Sequence, residues 1–316
     1  MINCIGSPSF PYFRHAEVNM PYFTLFMALF FISTSAIFVK WAETPIEAVA
    51  FYRMLFSTLL LLPLIHLKEL LSLSSTTIRH MILSGILLAG HFWLWFLSLD
   101  YTTVASSTLF VTASPIFVLI GNAVFFKQHP SRKALFFVGV ALIGGGLVAY
   151  GDIAVGPRAL IGDGLALLAT ILVAGYWLLG QHVRTSVSTN TYSFGVYAVS
   201  SVVLLLFSLI QSVNLVGSFQ TDWKIYILLA VFPTLLGHNL FNWALSRVSA
   251  SIVSITILGE AVWGMIFGYF LFQESLTWIQ ITGAALLLVG IGLFLRRNER
   301  DIREQFAKQN AATTAE

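Results

Sequence analysis

The chain has 316 residues, of which 57% are hydrophobic and only 10% are charged. A soluble domain carries about 25% charged residues, so this composition excludes a soluble monomer and indicates an integral membrane protein. The formal net charge is a modest +3, which we attribute to loop lysines and arginines that orient the chain in the membrane rather than to nucleic-acid binding.

The first 20 residues, MINCIGSPSFPYFRHAEVNM, lack the basic-then-apolar order of a secretory signal peptide. We interpret residues 1–20 as an N-terminal cytoplasmic tail, with Met20 as an alternative start because the first apolar segment follows it directly. Cys4 is the only cysteine, so one chain can form neither an internal disulfide nor a thiolate zinc cluster. We expect no cofactor, no metal site and no nucleic-acid partner.

Ten apolar segments are long enough to cross a bilayer as helices, because about 20 helical residues span a hydrocarbon core of about 30 Å. They cover residues 21–41, 45–66, 79–100, 102–126, 132–150, 159–182, 190–211, 224–246, 248–272 and 278–295. The strands of a membrane β-barrel would instead show short alternating segments. The sequence therefore predicts an all-α integral membrane protein with ten transmembrane helices.

The order of features repeats after five spans. At an offset of 146 residues, segment 98–128 aligns with segment 244–274, and each has a short turn, a serine-containing stretch, a polar residue in mid-span and a polar exit. Because five is odd, the two copies must lie in opposite orientations. We predict two inverted five-helix repeats, 21–153 and 154–297, followed by a C-terminal cytoplasmic tail, 298–316. Inverted repeats are typical of secondary transporters, with a site near the midplane.

The loop charges predict the orientation of these spans. With the N-terminus in the cytoplasm, thirteen of the 17 lysines and arginines fall at inside positions, three fall outside and Arg53 lies within the membrane. An excess of positive charge marks cytoplasmic loops. We therefore expect a multi-pass protein of the inner or plasma membrane with both termini in the cytoplasm.

Several motifs resemble the EamA family of the drug/metabolite transporter superfamily. The segment GDGLALLATILVAGY (162–176) is similar to the start of the family's sixth span, and ALSRVSAS (244–251) resembles the turn between its eighth and ninth spans. Glu260 matches a glutamate that the family often carries in its ninth span. The resemblance covers about residues 21–297. It implies a transporter of amino acids, nucleotide-like compounds or other metabolites, without defining the substrate.

Polar side chains within membrane spans mostly face the protein interior and mark pathways. His91 and Trp95, four residues apart in the third span, share a helix face, and an indole suits a flat or cationic substrate. His238 and Asn242 are related in the same way in the eighth span, and Tyr176 adds a hydroxyl in the sixth. The alternative for the histidines and Asn242 is hydrogen bonding to neighbouring helices.

Glu260 lies in an otherwise apolar run, where a carboxylate is costly to desolvate. Thr256, Glu260 and Trp263 share one face of the ninth span. Three roles stay open for Glu260: a protonatable coupling group, a counter-ion for a cationic substrate, or a structural partner of a cation or an asparagine. Arg53 must also be satisfied, either by snorkelling or by pairing with Glu47 or a neighbouring span.

These features predict a carrier of small organic metabolites that works by alternating access. The residues expected to line its cavity are His91, Trp95, Tyr176, His238, Asn242, Glu260 and Trp263. The substrate, the direction, the oligomeric state and the coupling ion, a proton or another ion, stay open. The chain lacks HExxH, GxSxG and Walker motifs. The rival hypothesis is a membrane-embedded enzyme that uses His91, His238 and Glu260. Polar residues in mid-span of both halves, rather than near one interface, favour the carrier.

Overall fold

The computed structural model describes residues 19–102, 104–150, 157–272 and 277–314. Within these ranges every regular element is a helix, which confirms the predicted all-α fold. Seven helical segments are long and apolar enough to cross a membrane: Met20–Trp41, Ile46–Leu64, Ser75–Ser98, Leu160–Val183, Thr189–Ile210, Leu215–Ala244 and Ala250–Leu271. Residues 1–18 of the predicted N-terminal tail and the predicted repeat boundary at 153 and 154 lie outside the described residues.

The described part of the chain contains fifteen α-helices, one π-helix and a short 3-10 helix, Leu62–Leu64, after α3. The first half contains α1 (Asn19–Ile32), α2 (Ser35–Trp41), α3 (Ile46–Leu61), α4 (Leu67–Leu71), α5 (Ser75–Ser98), α6 (Val104–Thr112), α7 (Ser114–Phe125) and α8 (Arg132–Tyr150). The second half contains α9 (Pro157–Val183), α10 (Thr189–Ile210), α11 (Leu215–Leu229), a π-helix (Ala230–His238), α12 (Asn239–Ala244), α13 (Ala250–Ile257), α14 (Glu260–Phe272) and α15 (Trp278–Thr314).

Helices also occupy the three predicted spans that are absent from the seven long apolar segments. These are α6 with α7, α8, and the first half of α15. The last helix continues beyond Arg296 to Thr314, so the predicted C-terminal tail extends the final span as one helix.

Two helices are broken at equivalent positions. Between α6 and α7 the break falls at Ala113, and between α13 and α14 it falls at Leu258 and Gly259. The second helix of each pair begins at the aligned polar residue, Ser114 or Glu260. Pro115 cannot donate a backbone hydrogen bond, and glycine lowers helix propensity. Irregular backbone at membrane depth is tolerated where it is buried in protein or lines a cavity. The two breaks are therefore positions at which a cavity is expected.

The helices of the two halves interleave. Helix α3 packs against α10, α8 against α15, α5 against α9, and α1 against the π-helix and α12. Under the predicted correspondence of the repeats, α3 and α10 are counterparts, as are α8 and α15. By the same correspondence, α5 is the counterpart of the π-helix with α12, and α9 is the counterpart of α1. The contact between α5 and α9 is therefore equivalent to the contact of α1 with the π-helix and α12.

The contact between α8 and α15 depends on Gly144. A Cβ atom at Gly144 would lie 2.7 Å from the carbonyl oxygen of Gly283 and 2.8 Å from the Cα of Leu287. We expect Gly144→Ala to force the two helices apart and to destabilise the protein by about 1–3 kcal/mol. Gly146→Ala is the matched control, since a Cβ there meets no atom within 4 Å. Thermal unfolding in detergent checks this, and equal midpoints for the two variants would contradict it.

Candidate functional site

A small cavity lies between the two halves of the chain. It is lined by residues of both halves: Ile32, Ser35, His91, Trp95, Val111, Ser114, Val173, Trp177, His238, Ile257 and Glu260. Each of its polar and aromatic side chains is buried. Ser114 and Glu260, the residues that follow the two helix breaks, therefore both line one buried cavity.

The structure brings together four of the seven residues predicted to line a cavity. His91, Trp95, His238 and Glu260 all contribute to its wall. Tyr176, Asn242 and Trp263 do not line it. The wall also includes side chains that the sequence analysis did not select: Ser35, Ser114 and Trp177 among the polar and aromatic ones.

Two stacked pairs of imidazole and indole rings line the cavity. His91 and Trp95 come from α5, with ring centroids 5.9 Å apart and an interplanar angle of 16°. His238 of the π-helix stacks on Trp177 of α9, at 5.5 Å and 12°. These pairs give the cavity flat walls with polar edges.

The hydrogen bonds of the two histidines differ. His91 Nδ1 lies 3.0 Å from the carbonyl oxygen of Ala169. A carbonyl oxygen only accepts, so Nδ1 carries the proton and Nε2 of a neutral ring is an acceptor. His238 Nδ1 is buried and has no hydrogen-bond partner. The two imidazoles therefore present different hydrogen-bonding edges.

Four buried polar atoms of cavity-lining residues have no hydrogen-bond partner. They are Trp95 Nε1, Ser114 Oγ, Trp177 Nε1 and His238 Nδ1. Buried polar groups are normally paired, and each unpaired group costs about 1–3 kcal/mol. Their concentration around one cavity indicates a site that a polar ligand would complete. The two indole N–H groups can only donate, so such a ligand needs acceptor atoms.

Arg53 is completely buried beside this site. Its Nε donates to Thr234 Oγ1 at 2.8 Å, and its Nη1 donates to Ser35 Oγ at 2.9 Å. The guanidinium carbon lies 4.1 Å from the ring centroid of Phe92, and the guanidinium interacts electrostatically with Glu260. Arg53 thus connects the start of α2 to the π-helix and places a positive charge near the cavity.

Of the three alternatives considered for Arg53, snorkelling and pairing with Glu47 are not what the structure shows. Glu47 instead lies 3.5 Å from Trp93 Nε1 and accepts its hydrogen bond. Ser35 at the start of α2 and Thr234 in the π-helix instead accept hydrogen bonds from Arg53 Nη1 and Nε within the protein, while Arg53 Nη2 is buried without a hydrogen-bond partner. The pairing with a neighbouring span, which we also considered, is what the structure shows.

Tyr176 and Asn242 form a hydrogen-bonded network between helices. The Tyr176 hydroxyl donates to Asn242 Oδ1 at 2.7 Å, and Asn242 Nδ2 donates to Ser193 Oγ at 3.0 Å. Arg184 Nε donates to the carbonyl oxygen of Asn242 at 2.9 Å. For Asn242, the interhelical bonding that we weighed as the alternative is therefore present.

Trp263 lies in an aromatic cluster between α1 and α14. Its ring centroid is 4.9 Å from that of Phe30, in an edge-to-face arrangement, and 5.7 Å from that of Phe267. The side chain is only partly buried. It shares α14 with Glu260 but faces α1 rather than the cavity.

Ser114 and Ser107 provide a matched test of the cavity assignment. Ser114 Oγ is buried without a partner, whereas Ser107 Oγ pairs with Ser98 Oγ at 2.6 Å. We expect Ser114→Ala to leave the unfolding midpoint unchanged or raised while lowering transport. Ser107→Ala should destabilise the protein by about 1 kcal/mol. Detergent unfolding and vesicle transport check this, and a Ser114→Ala variant that loses stability without losing transport would contradict it.

Comparisons with known proteins agree with this architecture. The model of the EamA-like transporter family matches residues 19–150 and 160–296. One crystal structure superposes with a TM-score of 0.72 over 87% of this chain and 97% of that chain; the sequence identity of 14% shows a shared fold alone.

Among curated relatives, the pseudopaline exporter CntI of Pseudomonas aeruginosa is 24% identical over 273 residues, or 83% of this chain and 91% of the relative. An uncharacterized transporter of Archaeoglobus fulgidus is 24% identical over 270 residues, or 82% of this chain and 91% of the relative. These relatives point to a transporter rather than an enzyme. Since the family model matches both halves, the chain belongs to the EamA-like transporter family, whose members are multi-pass membrane transporters.

Proposed function

We propose that the chain is a secondary transporter of small organic metabolites that works by alternating access. Its ten helices cross the cell membrane as two inverted repeats. The observation that carries the proposal is the buried cavity between the halves. Residues at equivalent positions of the two halves both contribute to its wall. Ser114 aligns with Glu260 at the offset of 146 residues that relates the repeats, and His91 aligns with His238 one residue further on. This pairing supports a pseudo-two-fold axis through the cavity.

The chemistry of the wall supports a small, polar, partly planar substrate. The stacked rings offer flat surfaces, the two indole N–H groups donate, and Glu260 offers a carboxylate to an amine or another donor. Amino acids and nucleotide-like compounds share these features. The relative CntI is named an exporter of pseudopaline, and by analogy we propose an organic cargo and outward transport for this chain.

The ten-span model makes a direct prediction about topology. Both termini should lie in the cytoplasm, because the predicted inside loops carry most of the lysines and arginines. Reporter domains fused after Glu316 and inserted after Ser212, in the exposed turn between α10 and α11, should therefore report opposite sides of the membrane. If both reporters lie on the same side, the number or direction of the spans is wrong.

Transport itself is tested with purified protein in proteoliposomes exposed to a mixed pool of metabolites, with and without a pH gradient. We expect selective accumulation of one or a few compounds, measured by mass spectrometry of the vesicle contents. Protein-free liposomes and Glu260→Gln proteoliposomes are the controls. Chemical conversion of a compound without accumulation would instead favour the membrane-embedded enzyme, since His91, His238 and Glu260 line the same cavity.

A further inference from the structure

Two carboxylates in the connections between long helices bind the opposite half of the protein. The first is Glu69 in α4, which follows α3. It accepts hydrogen bonds from the backbone N–H of Ser188 at 2.7 Å and from Thr191 Oγ1 at 2.5 Å, and the Ser188 hydroxyl also donates to it. Ser188 and Thr191 stand at the start of α10. We call this set of contacts the Glu69 latch.

The second carboxylate is Asp222 in α11, which follows α10. Its Oδ2 accepts hydrogen bonds from the backbone N–H groups of Glu43 at 2.9 Å and Thr44 at 3.0 Å, directly before α3. Asp222 is buried and stands at a kink in α11. The Thr44 hydroxyl is also paired with the Tyr226 hydroxyl at 2.7 Å. We call this set of contacts the Asp222 latch.

The two latches are reciprocal. Helices α3 and α10 pack against each other, and each is held at its N-terminal end by the carboxylate that follows the other helix. A negative charge is favourable at a helix N-terminus. Helix α3 has 16 residues, about 24 Å at 1.5 Å per residue. Because one latch precedes α3 and the other follows it, they lie at opposite ends of the bundle.

The Glu69 carboxylate has the charge that its latch requires. Burial raises the pKa of Glu69, but the hydrogen bonds from Ser188 and Thr191 lower it by more, so the pKa lies below its ordinary value. Charge-assisted hydrogen bonds are stronger than neutral ones. The Glu69 latch therefore joins the two halves by an ionised acceptor and three donors.

We propose that Glu69 and Asp222 are the positioning residues of two gates, each of which closes the cavity toward one side of the membrane. This inference rests on the proposed alternating access. Opening the cavity at one end requires the halves to separate there, which breaks the hydrogen bonds that cross between them at that end. With both latches formed and the cavity wall buried, the structure is an occluded state. Releasing either latch opens the cavity toward that side only.

The test follows the accessibility of the cavity and needs no known substrate. A Val111→Cys reporter in the cavity wall is placed in a Cys4→Ser background, and a membrane-impermeant maleimide is added to either face of sealed vesicles. We expect Glu69→Gln to raise labelling from one face by about tenfold, and Asp222→Asn to raise it similarly from the opposite face. Glu43→Gln is the matched control, because only the backbone N–H of Glu43 contacts Asp222, and its labelling should equal that of the parent.

Thr191→Val removes one donor from the Glu69 latch with little change of shape. It should raise labelling from the same face as Glu69→Gln, but by less, which keeps the test decisive if Glu69→Gln folds poorly.

Equal increases in labelling from both faces would indicate loosening of the fold and would overturn the proposal. An increase from the same face for the variants of both latches would also overturn it. If the parent reporter is labelled from both faces and the latch variants do not change this labelling, the proposed role of the latches is wrong, but alternating access is not contradicted. A reporter reached from only one face in every variant contradicts alternating access, and the latches with it.

Discussion

Glu260→Gln is expected to lower transport by about 100-fold while the protein stays folded. Glutamine keeps the shape of the side chain and its capacity for hydrogen bonds, but it cannot ionise. The carboxyl group lines the cavity and interacts electrostatically with Arg53, so the substitution removes an ionisable group from the wall. Arg53 keeps its bonds to Ser35 and Thr234, which limits the loss of stability.

Glu260→Leu is the control for this prediction, because leucine removes both the ionisable group and the capacity for hydrogen bonds. It should abolish transport and also lower the unfolding midpoint. Transport rate against pH for the parent and both variants, beside their unfolding midpoints, separates a role for charge from a role in packing. A Glu260→Gln variant with the parent's rate and an unchanged pH profile would exclude a charge role.

Arg53→Met is expected to destabilise the protein by about 2–6 kcal/mol, because it breaks two buried hydrogen bonds and leaves their acceptors unpaired, at about 1–3 kcal/mol each. Methionine can fill the space beside Phe92, but it leaves Ser35 and Thr234 without their donor and Glu260 without a nearby cation. Arg53→Lys should not restore stability, because one ammonium cannot reproduce the planar geometry of the guanidinium. Unfolding of each variant in detergent measures the loss.

The coupling between Arg53 and Glu260 is tested by combining substitutions. If the two groups stabilise each other, Arg53→Met with Glu260→Gln should be more stable than the sum of the single losses predicts, by about 1 kcal/mol or more. Strictly additive losses would show that Arg53 is held by Ser35 and Thr234 alone.

The features that could be predicted from the sequence are those set by local pattern. Apolar runs of about 20 residues indicate helices, and the alignment of Ser114 with Glu260 coincides with two helix breaks at the same relative position. The spacing of His91 and Trp95 indicates one helix face, and both line the cavity. Periodicity was sufficient because each of these relations lies within one helix or between two aligned segments.

The remaining features depend on how helices are rotated and on contacts distant in sequence. Thr234 and Arg53 are separated by 181 positions, and no pattern near Arg53 identifies that partner. Tyr176 and Trp177 are adjacent in a helix and point in different directions, so composition could not show that Trp177 faces the cavity while Tyr176 bonds to Asn242. Trp263 was predicted from a shared face with Glu260, but it lies almost one turn further along α14, where its ring meets Phe30 of α1.

Exchange across the membrane of proteoliposomes tests the central claim most directly. Vesicles are loaded with a labelled substrate found in the metabolite pool, and its efflux is followed with and without the unlabelled compound outside. A carrier that alternates between two sides predicts saturable efflux that the outside substrate accelerates, and Glu260→Gln should lose that acceleration. Efflux that rises linearly with concentration and is unaffected by the outside substrate would contradict alternating access through this cavity.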